Sequence, residues 1–159
     1  MKSRRNSLSS ILIILLVAAL MEPITAYTHK LVMHKTLWVW HKSHHQQKGT
    51  PFELNDLFPV VFSFLSILLF VIGMQRTVFT DIAIGITLYG FTYFVVHEII
   101  IHSRFIKIKS RNKLFTYWRF SHNVHHQFNR EPYGFIVPLT PKNLAEKAHA
   151  NPRDLIDRF

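Results

Sequence analysis

Ten of the eleven histidines in this chain fall into four short boxes. They read His29-xxxx-His34, His41-xx-His44-His45, His97-xxxx-His102 and His122-xx-His125-His126. Imidazole nitrogen is a ligand for iron, zinc, nickel and copper. In the two His-xx-His-His boxes the spacings of three and four put all three rings on one face of a helix. Three imidazoles on one face, presented twice, can grip metal from two sides. The xxxx boxes are less regular, because five residues turn an ideal helix by about 140° beyond one revolution. Local unwinding, or two metals bound at different angles, would bring those rings together, and the spacing suits a helix end.

A tetrahedral zinc site needs four ligands, so ten histidines exceed one such site and fit a pair of ions. A lone histidine near a membrane is more often a polar filler, as His149 in the tail is expected to be. Ten clustered rings would repel one another strongly if protonated, which argues for metal. The chain has no cysteine, which excludes disulfides, thiolate metal sites and a cysteine nucleophile. Groups that could hold ring tautomers from outside are Glu22, Glu53, Asp56, Glu98 and Asn123.

These boxes need elements to position them. Apolar residues make up 48% of the 159-residue chain, with fourteen phenylalanines, and they concentrate in three runs. Membrane segments are expected at 8–28, 57–74 and 77–96 within a single domain, 1–159. The last two are long enough to cross a bilayer and lack a polar face, so they read as a transmembrane hairpin. The first run is interrupted by Glu22 and Pro23. It can still cross if Glu22 faces protein, with a kink expected at Pro23. A signal peptide is the competing reading, since Arg4 and Arg5 precede an apolar core, but Ala18-Ala19-Leu20-Met21 is a poor cleavage site. The expected fold is all-α: an integral membrane helical protein with a histidine-rich metal-binding cap.

The formal charge is +10, which suits an anionic membrane surface rather than nucleic acid when apolar runs accompany it. Lys107, Lys109, Arg111 and Lys113 form the clearest basic stretch, and a helix is expected from Ser110 to His126. With three spans, fifteen basic residues fall on the histidine side and four on the other, so the positive-inside rule puts the boxes in the cytoplasm. Trp38, Trp40, Phe52 and Trp118 suit either a lipid pocket or anchoring at the interface.

The chain resembles the carotenoid 3-hydroxylases of the beta-carotene hydroxylase type, within the fatty acid hydroxylase and sterol desaturase superfamily. The four boxes carry the superfamily resemblance. His41-Lys42-Ser43-His44-His45, followed by Phe52-Glu53-Leu54-Asn55-Asp56, carries the carotenoid branch, with Gly134-Phe135 downstream. Glu98 departs from the usual Asp, and Gln127 to Gly134 is shorter and less glycine-rich than usual. The resemblance implies two iron ions held by the ten histidines, molecular oxygen as co-substrate and electrons from a ferredoxin-like donor. It also implies hydroxylation at carbon 3 of beta-ionone rings, from beta-carotene through beta-cryptoxanthin to zeaxanthin, at the inner membrane. No flavin or nicotinamide fingerprint is present. Competing readings are a carotenoid ketolase, a sterol or fatty acid hydroxylase or desaturase, and a non-enzymatic membrane metal-binding or transport protein. The few polar residues in the hairpin, Ser63, Ser66, Asp81 and Thr87, argue against a pore.

Overall fold

The computed structural model describes residues 6–46, 52–74 and 77–148. The expectations for Lys2, Arg4, Arg5, Lys48, Gly49, Pro51, Gln75, Arg76, His149 and the tail from Asn151 lie outside the described residues. Among the described residues the regular elements are all helical: α1 (Ser7–Thr28), α2 (Trp38–His45), α3 (Leu57–Ile72), α4 (Val78–Tyr93), α5 (Lys113–Phe128) and α6 (Lys142–Lys147). Two helices do not stop at these limits. α1 runs on into a π-helical turn, His29–Thr36, and α4 into another, Phe94–Ile101.

Among the described residues, three continuous helices are long and apolar enough to cross a membrane: Ser7–Thr36, Leu54–Ile72 and Val78–Ile101. Their outer faces carry exposed Leu15, Phe64, Val71 and Phe91, as lipid contact requires. α1 stays helical through Pro23.

α4 lies between α1 and α3 and packs on both. Against α3 it runs antiparallel. Ser66 Oγ lies 2.8 Å from Thr87 Oγ1 and donates to Ala83 O at 3.0 Å, and Thr80 Oγ1 donates to Gly73 O. These hydroxyls give apolar helices specific contacts where hydrophobic burial alone drives little association. Against α1 the approach is closer still. A Cβ at Gly85 would fall 2.7 Å from Val17 Cβ and 2.8 Å from Ile14 O, so only glycine allows the two backbones to meet there.

α5 begins three residues later than expected at Ser110. Asn112 caps it, its side chain accepting from Leu114 N (2.8 Å) and Phe115 N (3.4 Å), which satisfies amides the first turn leaves free. Arg119, 2% exposed, ties α5 to the π-helical turn after α4 by donating to Ile100 O (2.8 Å), and to the loop beyond it by donating to Ile108 O (2.5 Å). Trp118 is buried in the core and donates to Ile136 O at 2.8 Å, so it neither anchors at an interface nor lines a pocket. Residues 131–140 form a non-helical strap back to α1.

Candidate metal centre

Both π-helical turns fall on the xxxx boxes, which is the unwinding their spacing requires. Leu37 N donates to Val32 O (2.7 Å) and His102 N to His97 O (3.0 Å), each an i→i+5 bond. A π-turn brings residues five apart towards one face. His29 and His34 then meet with Nε2 atoms 3.2 Å apart, and the His97 and His102 ring centroids are 4.7 Å apart.

The ten box histidines converge. His29, His34, His41 and His125 offer ligand nitrogens that all lie within 4.8 Å of one another, and so do His44, His102, His122 and His126. His45 sits between the clusters, its Nε2 3.2 Å from His41 Nε2 and its ring stacked on His126 at 4.2 Å. His97 borders the second cluster, with its ring 4.7 Å from those of both His102 and His122.

Oxygen acceptors outside the clusters fix the tautomers. His29 Nδ1 donates to Tyr133 O (2.9 Å), His41 Nδ1 to Asn55 Oδ1 (2.7 Å), and His125 Nδ1 to Arg130 O (2.5 Å). His44 Nδ1 donates to Glu53 Oε2 (3.1 Å) and His97 Nδ1 to Glu98 Oε1 (2.8 Å). A neutral imidazole has one donor and one acceptor nitrogen. With Nδ1 holding the proton, each of these five Nε2 atoms presents a lone pair. His29 and His41 nevertheless face each other Nε2 to Nε2 at 3.0 Å, with no proton between them. Nε2 of His44, His97 and His126 is buried without a hydrogen-bond partner. Opposed lone pairs in a buried site repel, and a cation between them removes that cost, so the residues fit metal.

Protonation would oppose metal, and burial prevents it. Desolvation lowers His41 and His102 to about 3 and His45 to about 4. It also holds His44, His122, His125 and His126 well below the ordinary histidine value, with neighbouring rings adding to the effect.

A single turn supplies much of the outer layer. The 3-10 turn Leu54–Asp56 is held by a capping box, in which Glu53 N donates to Asp56 Oδ2 at 2.9 Å. It presents Glu53 to His44, Asn55 to His41 and Asp56 to Arg104, which bonds Asp56 bidentately at 2.8 and 2.7 Å. Arg104 also donates to Glu98 Oε2 at 2.9 Å, so Asp56 reaches His97 only through Arg104 and Glu98.

At three positions the structure differs from what the sequence suggests. Glu22 touches no histidine. Its Oε1 accepts from Phe135, Ile136 and Val137 N, each at 2.9 Å, and its Oε2 from Tyr89 Oη at 2.7 Å. Successive amides converging on one oxygen form an anion nest, and a Cβ at Gly134 would fall 2.9 Å from that oxygen. Asn123 does not hold a ring either, its Nδ2 being buried without a partner. Asn55, within the Phe52–Asp56 motif but not among the groups the sequence singles out, takes that role by accepting from His41 Nδ1.

The fatty acid hydroxylase family description matches residues 14–142. The chain is 39% identical over 142 residues to a beta-carotene hydroxylase of Pseudescherichia vulneris, covering 86% of this chain and 80% of that protein. It is 37% identical to a beta-carotene hydroxylase of Paracoccus sp. (strain PC1), covering 72% of this chain and 73% of that one. A chloroplastic beta-carotene 3-hydroxylase of an Oncidium hybrid cultivar is 34% identical over 74% of this chain, which spans only 41% of that longer protein. No solved structure gives a significant match. Fold and site define a multi-pass, all-α membrane protein with two histidine clusters able to chelate metal. The chain belongs to the fatty acid hydroxylase family, and within it to the beta-carotene hydroxylases.

Proposed function

We propose that the protein hydroxylates carbon 3 of beta-ionone rings, converting beta-carotene through beta-cryptoxanthin to zeaxanthin. The observation that carries this reading is the set of opposed, proton-free Nε2 atoms at the end of membrane-length helices, taken with the beta-carotene hydroxylase relatives. The substrate bond is an unactivated ring C–H. One atom of molecular oxygen enters it and the other leaves as water, consuming two electrons and two protons.

All ten box histidines are assigned as ligands of two iron ions, which when bound supply the redox chemistry that oxygen reduction needs. The chain's own residues do the positioning. Tyr133 O, Asn55, Arg130 O, Glu53 and Glu98 keep Nε2 free for metal. Phe135 lies flat on His29, with centroids 4.7 Å apart, and Tyr93 on His97 at 4.8 Å. Both rings shield the centre from water. Electrons come from a soluble ferredoxin-like donor, reached because the boxes face the cytoplasm from the inner membrane.

Pigment analysis after expression in a beta-carotene-producing cell tests the reading. New zeaxanthin is expected. New echinenone or canthaxanthin would mean ketolation instead. Unchanged pigment with inserted, metal-loaded protein would reject a carotenoid substrate.

A further inference from the structure

A cavity of about 770 Å3 lies among α1, α3 and α4, within the range of small-molecule sites. Along α4 its wall follows Ile86, Tyr89, Gly90 and Tyr93. The next turn of that helix carries His97. Tyr93 lines the cavity on one side and stacks on His97 on the other, with ring planes 17° apart. Phe135, also in the wall, covers His29 and meets His97 edge-on at 5.2 Å. One layer of rings therefore separates the cavity from both histidine clusters.

Most polar groups of the wall already have partners, although Arg104 Nε is buried without one. Ser66 pairs with Thr87, Thr25 with Tyr89 at 2.5 Å, and Arg104 with both Asp56 and Glu98. Such a wall gives a polar ligand little in return for its lost hydration, whereas hydrocarbon gains by entering.

Gly90 differs from the other glycines described. A Cβ at Gly73, Gly85 or Gly134 would fall within 3 Å of a neighbour, but at Gly90 nothing lies within 4 Å. Glycine inside a helix costs about 0.5–1 kcal/mol relative to alanine, and packing does not require it here. What it leaves is space in the cavity, one turn from Tyr93.

We propose that this cavity is the substrate-binding site, that it takes a neutral, elongated hydrocarbon from the bilayer, and that Gly90 is a specificity-determining residue that sets its width. The choice of a carotenoid as that hydrocarbon rests on the function proposed above.

The test uses full-length protein in lipid nanodiscs, with beta-carotene as the probe. Bound pigment, kcat/KM, metal content and melting temperature are compared for wild type, for Gly90→Ala, Gly90→Leu and Gly90→Phe, and for Leu88→Phe. Leu88 is exposed on α4 and lies outside the cavity wall. Binding and kcat/KM are expected to fall as residue 90 grows, by roughly 10- to 100-fold at Phe, the scale of overpacking. Metal content and melting temperature should hold, and Leu88→Phe should behave as wild type. Wild-type binding by Gly90→Phe, equal impairment in Leu88→Phe, or no pigment bound by wild type would each overturn the proposal. Pigment that binds, is blocked by Gly90→Phe and is never hydroxylated would reject the function while upholding the cavity.

Discussion

His41 and His44 stand one turn apart on α2, yet their rings serve different clusters. His41 Nε2 faces His29 Nε2 at 3.0 Å, whereas the His44 ring lies 4.4 Å from that of His102. On α5, His122 and His125 divide in the same way. Each His-xx-His-His box therefore spans the two clusters and fixes the distance between them, instead of gripping one metal with three rings.

Removing one histidine should then disable the pair. Replacing His44 or His125 with Ala is expected to lower zeaxanthin yield by more than about 100-fold at matched protein level, beyond the 10- to 100-fold typical of groups behind the ligands. His149→Ala should keep its activity. Full activity in either box variant would reject the ligand assignment.

The groups behind the rings should tune metal affinity. Asn55→Leu removes the acceptor for His41 Nδ1, and Glu98→Gln weakens that for His97. Each is expected to lower metal affinity by about 10- to 100-fold, measured by chelator competition. Unchanged affinity in both would mean that these contacts do not hold the tautomers.

Glu22 should act on the strap and not on the metal directly. Glu22→Ala leaves three amides and the Tyr89 hydroxyl without their acceptor. A loss of about 2–4 kcal/mol is expected, given the strength of hydrogen bonds to charged acceptors. Thermal unfolding should show Glu22→Gln between wild type and Glu22→Ala. An unshifted melting temperature in Glu22→Ala would mean that the strap is held by other contacts.

Much of this architecture is legible in the spacing of histidines and in the uncharged runs. The length of the α3 and α4 runs alone requires membrane-sized helices, and ten imidazoles can share a site only by converging. The division of each box is not legible, because i, i+3 and i+4 share a helix face whether they meet one metal or two. The five-residue spacing signals that an ideal helix fails, but the π-turn that resolves it depends on packing. Glu22 reads as a ligand neighbour from its place before His29. Its partners lie 67 to 115 residues away, where no local pattern points. Trp118 reads as pocket-lining or interfacial for a related reason, since its acceptor on Ile136 arises from the strap's return.

Acid should destabilise the metal-free fold. His41, His45 and His102 titrate at about 3, 4 and 3 when folded, against about 6.5 in an unfolded chain. Between these limits the unfolded chain binds more protons, so stability falls as pH drops from about 6.5 towards 3–4 and is level above that window. Unfolding of metal-free protein at graded pH should show this slope, and metal loss should follow the same direction. Rising stability on acidification would contradict neutral buried rings.

The excess of basic residues on the histidine side predicts that the boxes face the cytoplasm. A reporter active only outside the cytoplasm, fused after Phe159, should stay silent. A strong signal would put the histidine boxes on the far side and remove a soluble cytoplasmic donor's access to them.

On the function proposed, an iron pair held by these histidines performs the hydroxylation. Metal analysis and beta-carotene turnover, measured on one freshly purified preparation supplied with oxygen and reductant, test it most directly. Iron near two equivalents per active chain is expected, with activity lost on iron removal and regained on its return. A fully active preparation containing zinc and no iron would contradict the claim, even with every histidine bound to metal.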